Sequence, residues 1–184
     1  EVLEKHFLDS VSLIRAKDLN QSITVLDLGT GAGFPGIPLK IVFPELEVTL
    51  MDSLNKRIVF LQEVISELGL SGIIAIHGRA EEAAIKPEYR EKFDFCVSRA
   101  VARLVSLSEF CLPFVKQGGY FIPYKSGEIK EELQEAKFAL RELGGEYHKT
   151  YEYQLPNSDI ERTLIQVEKI KQTPKKYPRA GGKP

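Results

Sequence analysis

An apolar run that breaks into alternating glycines constrains the fold of this chain more than any other feature. Residues 25–34 read VLDLGTGAGF, and a second apolar run that ends in an acid, Leu50-Met51-Asp52, follows about twenty residues later. Glycine lets the backbone approach a ligand that a Cβ would push away. This pattern predicts a nucleoside-binding βαβ unit, made of a strand, a glycine turn, a helix and a second strand that ends in a carboxylate. In such a unit we expect Asp52 to accept hydrogen bonds from ribose hydroxyls.

The details of the loop favour one class of nucleoside cofactor. A dinucleotide fingerprint reads G-x-G-x-x-G, but Phe34 occupies the last glycine position here, because the third glycine comes one residue early at Gly33. Asp27 precedes the turn, and a carboxylate near the loop opposes a pyrophosphate and suits a cation. S-adenosylmethionine (SAM) carries an ammonium, a sulfonium and a ribose but no phosphate. The loop therefore predicts SAM as cofactor and methyl transfer as activity; an ordinary tight turn beside a buried acid is the alternative.

The bulk composition is that of one globular domain. The length of 184 residues, the hydrophobic content of 43% and the charged content of 28% are ordinary for such a domain. No apolar stretch reaches the roughly 18–20 residues of a membrane span, and the first residues do not resemble a signal peptide. Cys96 and Cys111 lie in apolar segments without metal-ligand spacing. We expect a cytoplasmic monomer with buried free thiols, no membrane partner and no metal site.

Basic residues concentrate at the end of the chain. The formal net charge is −1, yet six Lys and Arg side chains and one acid lie from Glu168 to Pro184, so the preceding part is acidic. We expect residues 1–171 to form the domain, with an N-terminal helical segment over residues 1–20, and residues 172–184 to form a basic, mobile tail. Such a tail suits a polyanionic partner; a solubilising terminus is the alternative.

Alternating strand and helix patterns predict the fold class. Five apolar runs alternate with amphipathic helical patterns, and two longer β-rich segments end the domain. We expect an α/β fold, namely a three-layer α/β/α sandwich of the Rossmann-like, SAM-dependent methyltransferase type, with a mostly parallel sheet and an antiparallel C-terminal hairpin. The predicted strands are Ile23–Leu28, Leu46–Met51, Ile73–Ile76, Phe93–Ser98 and Tyr120–Tyr124, followed by the hairpin Tyr147–Leu155 and Arg162–Ile170.

Ligands of an open parallel sheet bind outside the carboxyl ends of its strands, so four predicted strand ends meet at one pocket. There, Asp52 suits a ribose, and Phe34, Ala80 and Glu81 can form an apolar slot with an acceptor for adenine. Arg99 can orient a cofactor carboxylate or a substrate phosphate. The cofactor-binding candidates are Gly29, Thr30, Gly31, Gly33, Phe34, Asp52, Ser53, Ala80, Glu81 and Arg99.

Two missing motifs restrict the methyl acceptor. The chain has no Pro-Cys pair for attack on a pyrimidine, and no Asn/Asp-Pro-Pro run followed by an aromatic residue for methylation of an amino group. The acceptor should then be an atom that is already nucleophilic, such as guanine N7. Positioning supplies most of the catalysis in that case, and the candidate catalytic residues are Arg99 and Lys125.

Several motifs together resemble the RsmG family, also called glucose-inhibited division protein B. They are HFLDS at 6–10, GTGAGFPGIP at 29–38, DSLNKR at 52–57, RAE at 79–81, SRAVA at 98–102 and TPKKYPR at 173–179, and they span nearly the whole chain. The resemblance implies SAM-dependent methylation of a guanine N7 in 16S rRNA, in a hairpin near the decoding centre, by a cytoplasmic enzyme. It also implies cofactor contacts at Gly29, Phe34, Ala80, Glu81 and Arg99. After the fifth predicted strand the chain departs from the family's Leu-Lys-Gly, with Tyr-Lys-Ser-Gly at 124–127.

Cations near the mouth of the pocket are expected to hold RNA phosphates. Besides Arg99, the candidates for contact with substrate RNA are Arg103, Lys125, Arg162, Lys175, Lys176 and Arg179. The expected partner is 16S rRNA or the small ribosomal subunit. Other readings remain: a SAM-dependent methyltransferase acting on a small molecule or protein, a non-catalytic SAM-binding module, and a nicotinamide dehydrogenase.

Overall fold

The computed structural model describes residues 3–100, 102–127, 129–156 and 158–180, with the backbone alone at residues 3–5. Its centre is a seven-stranded sheet in the order β3-β2-β1-β4-β5-β7-β6. The first five strands are parallel, and β7 runs antiparallel to both β5 and β6. The strands are β1 Thr24–Leu28, β2 Glu47–Asp52, β3 Ile73–His77, β4 Phe93–Ser98, β5 Val115–Lys125, β6 Gly145–Gln154 and β7 Glu161–Lys169.

Helices cover both faces of the sheet, because successive strand side chains point to opposite faces and both sets are apolar. Leu26 of β1 packs in a core with the helices Ala80–Ala83, Leu104–Cys111 and Lys130–Glu142. Its neighbour Val25 packs in a second core with the N-terminal segment and the helices Gly36–Val42 and Asn55–Glu67. The predicted α/β/α sandwich with an antiparallel hairpin is therefore confirmed. The α-helices are α1 Asp9–Val11, α2 Gly36–Val42, α3 Asn55–Glu67, α4 Ala80–Ala83, α5 Leu104–Cys111 and α6 Lys130–Glu142.

The fifth strand begins earlier than predicted. The strand was predicted to start at Tyr120, directly after Gly118 and Gly119, but both glycines lie inside β5. A Cβ on Gly119 would lie 2.4 Å from the carbonyl oxygen of Asp94 in β4, at a shift in the register between the two strands. Gly119 thus allows close approach of two backbones at an irregular pairing.

The N-terminal segment is helical, but it is not the single regular helix that its apolar spacing predicts. A π-helical stretch over Leu3–Leu8 passes into α1 and then into a 3-10 turn over Ser12–Arg15. Three polar residues of this segment, Asp9, Ser10 and Ser12, are buried, at 2%, 0% and 7% exposed. The segment has hydrogen-bond partners on the sheet, because the Asp9 carboxylate accepts from Tyr153 in β6 and the Ser10 carbonyl accepts from Tyr124 in β5.

The described part of the tail, residues 172–180, lies against the domain. The guanidinium of Arg90 donates hydrogen bonds to the carbonyls of Thr173, Pro174 and Tyr177, at 2.9–3.2 Å. The backbone N–H of Thr173 donates to the carboxylate of Glu91 at 2.8 Å. Because Arg90 and Glu91 precede β4, these residues lie at the amino ends of the parallel strands. Residues 181–184 lie outside the described residues.

Cys96 and Cys111 are buried free thiols. Among the described helices, none has both the length and the apolar character that crossing a membrane requires.

Candidate functional site at the carboxyl ends of the strands

A buried acid in β1 shapes the glycine loop. One carboxylate oxygen of Asp27 accepts hydrogen bonds from the Thr30 hydroxyl at 2.7 Å and from the Gly36 N–H at 2.8 Å. Its other oxygen is buried and has no hydrogen-bond partner in the described part of the chain. Burial raises the pKa of Asp27 from 3.8 to about 6. Asp27 therefore fixes the loop, and its second oxygen is a buried acceptor that no described donor reaches.

This raised pKa makes stability depend on pH in a definite direction. The folded state binds the Asp27 proton more tightly than the unfolded chain, so the stabilisation is complete below pH 3.8 and is lost as the pH rises through about 6. The change is on the order of 3 kcal/mol. We expect the stability of wild type relative to Asp27→Asn, from urea midpoints, to fall across this window and then stay constant. A difference that is flat with pH would mean that folding leaves the pKa of Asp27 unchanged.

The glycines of the loop have two different roles. Gly29 and Gly31 have φ angles of +71° and +62°, and a Cβ on either would meet no atom within 4 Å, so both face open space. By contrast, a Cβ on Gly33 would lie 2.5 Å from Ile37, and one on Gly36 would lie 2.2 Å from Leu50. Close packing of α2 on the sheet therefore depends on Gly36, whereas Gly33 leaves room for the Ile37 side chain of α2. Gly36 was not predicted as a site residue, because the G-x-G-x-x-G template directs attention to position 34.

Asp52, at the end of β2, is 3% exposed and already has several donors. Its Oδ2 accepts from the Gly31 N–H at 3.0 Å, and its Oδ1 accepts from the Leu54 N–H at 3.0 Å. The half-exposed guanidinium of Arg57 lies 3.1 Å from Oδ2. The carboxylate thus joins the glycine loop to the start of α3. A ribose would have to replace Arg57, a residue that the sequence analysis did not single out.

The remaining cofactor candidates follow β2 and β3. The carbonyl of Ser53 lies 3.1 Å from Nε2 of His77, the last residue of β3. Ala80 and Glu81 open α4, where the Glu81 carboxylate lies 3.8 Å from the Arg79 guanidinium. These residues stand at neighbouring strand ends, as predicted. Their contact with a cofactor stays a prediction.

Phe34 and Arg99 are covered by the N-terminal segment. The ring of Phe34 lies 5.4 Å from that of His6 and 5.2 Å from that of Phe7, and the Arg99 guanidinium lies 5.7 Å from its centre. Arg99 also donates to the His6 carbonyl at 3.2 Å and lies 3.5 Å from the Asp9 carboxylate. Arg99 is thus held by protein groups on several sides.

Next to Arg99, a cleft of about 370 Å³ opens at the ends of β4, β5 and β7. It brings together four of the cations predicted from the sequence, Arg99, Arg103, Lys125 and Arg162. The other residues that line it are Asp9, Ala100, Tyr124, Ser126 and Glu132. Because phosphates and bases are recognised by such cations together with polar groups, the cleft has the chemistry of a nucleotide site.

Two of the four cations have acidic partners on α6. The ammonium of Lys125 is 2.7 Å from both the Glu132 carboxylate and the Ala102 carbonyl. Arg103 pairs with Glu135, and both of these side chains are exposed. Lys125 is only 9% exposed, so it is a fixed cation, and its catalytic role stays a prediction.

The tail cations do not lie near the cleft, contrary to our expectation. Lys176 pairs with Glu142 at the end of α6, at 2.7 Å, and Arg179 forms a bidentate pair with Glu109 near the end of α5. Lys175 is exposed beside them. Because β7 is antiparallel, it carries the chain from the cleft to the opposite edge of the sheet. Any RNA contact of the tail would therefore be remote from the cleft.

Three residues near the cleft were missed as site residues. The Tyr153 hydroxyl donates to the Asp9 carboxylate at 3.0 Å, and the Tyr124 hydroxyl donates to the Ser10 carbonyl at 2.6 Å. The only signal for Asp9 was its place in the HFLDS motif, which was quoted for the family resemblance alone. The two tyrosines had no local signal.

The geometry fits SAM. The open cradle at Gly29 and Gly31 suits backbone contact with a ligand, Asp52 suits ribose hydroxyls, and the unpaired oxygen of Asp27 suits an ammonium group. Within the described residues, no group of three or more His, Cys, Asp or Glu side chains could hold a metal ion.

Comparisons with known proteins agree with this geometry. The family model for rRNA small subunit methyltransferase G matches residues 1–165. Ribosomal RNA small subunit methyltransferase G of Lachnoclostridium phytofermentans is 64% identical over 184 residues, which cover all of this chain and 76% of that protein. The protein of the same name from Alkaliphilus metalliredigens is 55% identical over 184 residues, covering 100% of this chain and 77% of the relative.

Solved structures share the fold at low sequence identity. A SAM-dependent methyltransferase from Aquifex aeolicus has a TM-score of 0.67 at 19% identity, covering 92% of this chain and 93% of its own. TrmN from Thermus thermophilus also has a TM-score of 0.67, at 18% identity, covering 91% and 53% of the two chains. The fold is thus that of SAM-dependent methyltransferases, and the chain belongs to the rRNA small subunit methyltransferase G family.

Proposed function

We propose that this chain transfers a methyl group from SAM to N7 of a guanine in 16S rRNA. The observation that carries the proposal is the placement of an open glycine cradle and a four-cation cleft at the same edge of the sheet, in a member of this family. The cradle suits the cofactor and the cleft suits an RNA strand. This combination is not needed by a dehydrogenase, and a small uncharged acceptor would not need the cations.

On the cofactor side, Gly29 and Gly31 would contact SAM through their backbone, and Asp52 would accept hydrogen bonds from the ribose hydroxyls once Arg57 has moved. Asp27 would face the ammonium group with its free oxygen. Ala80 and Glu81 are proposed to contact the adenine ring. SAM, when bound, supplies an electrophilic methyl group on a positively charged sulfur.

On the RNA side, the protein has to orient a base and hold its phosphates. Guanine N7 carries an exposed lone pair and loses no proton, so no general base is required. Arg99, Arg103, Lys125 and Arg162 are proposed to hold the backbone on either side of the target nucleotide, and that base has to be unpaired or flipped out of its stack. Alignment of N7 with the methyl group then supplies most of the rate acceleration.

The direct test is transfer of labelled methyl from SAM to 16S rRNA, free or in small ribosomal subunits. We expect label at a single guanine whose N7 methylation makes the strand sensitive to reduction and aniline cleavage. Absence of label in RNA at saturating SAM would refute the proposal. If calorimetry then showed SAM binding, the chain would be a SAM-binding module or a methyltransferase for another substrate.

Salt dependence separates an RNA acceptor from a small one. Each phosphate that a cation neutralises contributes about 0.7 to the logarithmic salt slope for single strands, so four contacts predict a slope near 3 for the KM of RNA. SAM affinity, measured by calorimetry over the same salt range, serves as the internal control and should change little. A flat KM for RNA would argue against phosphate contacts in the cleft.

A further inference from the structure

We propose that Asp9 is a positioning residue for methyl transfer, which sets the relative placement of Arg99 and Arg162 in the RNA-side cleft. This inference rests on the proposed function and adds a role for the HFLDS motif. Asp9 itself is 2% exposed, so its carboxylate acts on the RNA through the two arginines.

The first observation is that one buried carboxylate joins three separate strands. Oδ2 of Asp9 lies 3.5 Å from the guanidinium of Arg99, which follows β4, and 3.4 Å from Nε of Arg162 in β7. Oδ1 accepts the hydroxyl of Tyr153 in β6, at 3.0 Å. A substitution at Asp9 would therefore release several side chains at once.

The second observation is that the backbone around Asp9 is anchored from the sheet. The Tyr124 hydroxyl donates to the carbonyl of Ser10 at 2.6 Å, and the hydroxyls of Ser12 and Tyr153 are 2.6 Å apart. These contacts hold the N-terminal segment across the ends of β5 and β6. Asp9 is thus presented to the arginines by a rigid support, as precise placement of functional groups requires.

The third observation concerns charge. Arg99 and Arg162 both line the cleft, and their side chains are only 19% and 22% exposed. Asp9 and Glu132 are the acids among the described residues that line it, and Glu132 is engaged by Lys125. Without the Asp9 charge the two guanidinium groups would repel each other in a partly buried place, and they would separate.

The test compares Asp9→Asn with Asp94→Asn in the full chain. Asp94 is a matched control, because its carboxylate also joins neighbouring elements, accepting from Thr24 and pairing with Lys116, but it lies at the other end of β4. For Asp9→Asn we expect kcat/KM for 16S rRNA to fall about a hundredfold, since a displacement of about 1 Å has that effect. SAM affinity should change by less than about threefold, and Asp94→Asn should keep its RNA turnover.

Each outcome has a definite meaning. A wild-type chain that methylates no RNA refutes the proposed function. If the wild type is active and Asp9→Asn and Asp94→Asn have equal RNA turnover, the proposed role of Asp9 is overturned. It is also overturned if Asp9→Asn loses as much SAM affinity as RNA turnover. If Asp9→Asn does not fold, Tyr153→Phe removes one hydrogen bond of Asp9 and keeps its charge. That variant should then show about a tenfold loss in kcat/KM with unchanged SAM affinity, and undiminished turnover would overturn the proposal.

Discussion

Replacing Asp52 with alanine is expected to weaken SAM binding about a hundredfold. Hydrogen bonds to a charged group contribute about 1.5–3 kcal/mol each, and 1.4 kcal/mol corresponds to a tenfold change in affinity. The substitution also removes the acceptor of the Gly31 N–H, which lies 3.0 Å from the carboxylate, so the cradle loses a support. Isothermal calorimetry on the full chain measures the change. Equal SAM affinity in the variant would mean that Asp52 only connects the loop to α3.

Arg57→Gln provides the matched control for this measurement. The Arg57 guanidinium lies 3.1 Å from the Asp52 carboxylate with 47% of its side chain exposed, and it competes with the ribose hydroxyls. Because exposed ion pairs contribute about 0–1 kcal/mol, SAM affinity should stay the same or rise by up to about fivefold. A large loss of affinity would instead make Arg57 part of the cofactor site.

Replacing Gly36 with alanine is expected to destabilise the fold by about 3 kcal/mol, the upper end of the range for overpacked cores. The added Cβ would lie 2.2 Å from Leu50 and 2.9 Å from the Asp27 carboxylate, and both of these residues are 0% exposed. Because both side chains are fully buried in β1 and β2, the added methyl group can be accommodated only by repacking the core around them. The free energy of unfolding in urea is the appropriate measurement.

Gly69→Ala separates this clash from the general effect of removing a glycine. Gly69 ends α3 with a φ of +59°, and a Cβ there would meet nothing within 4 Å, so the expected loss is about 1 kcal/mol of backbone strain. If Gly36→Ala were no more destabilising than Gly69→Ala, the close packing of α2 on the sheet would not be a significant source of stability.

Much of the fold follows from local sequence patterns. The apolar run at 24–28 and the glycines after it specify structure within a few residues, and the predicted strand Ile23–Leu28 differs from β1 by one position. The start of β5 was predicted wrongly, because a glycine pair usually marks a loop. Here Gly119 instead allows close contact with Asp94 of the neighbouring strand β4, which no local pattern records.

The candidate site, like the fold, contains residues that local sequence patterns predict and residues that they do not. The position of Asp52 beside the glycine loop was predictable, since its strand and the loop lie close together in the sequence. Asp9 was not, because its hydrogen-bond partner Tyr153 is 144 residues away and neither residue belongs to a repeating pattern. The position of the tail was predicted wrongly for a related reason. Its charge was evident, but the direction of β7 decides at which edge of the sheet that charge lies.

The strand order separates the two halves of the proposed site. The residues proposed to bind SAM follow β1, β2 and β3, which form one half of the strand order. The cleft is formed by residues at the ends of β4, β5 and β7, which belong to the other half. The adjoining turn between β6 and β7 belongs to a hairpin with no part in the cradle. Acceptor choice is therefore open to redesign by varying the turn of this hairpin, while the residues that hold Asp9 and those that follow β1, β2 and β3 are kept.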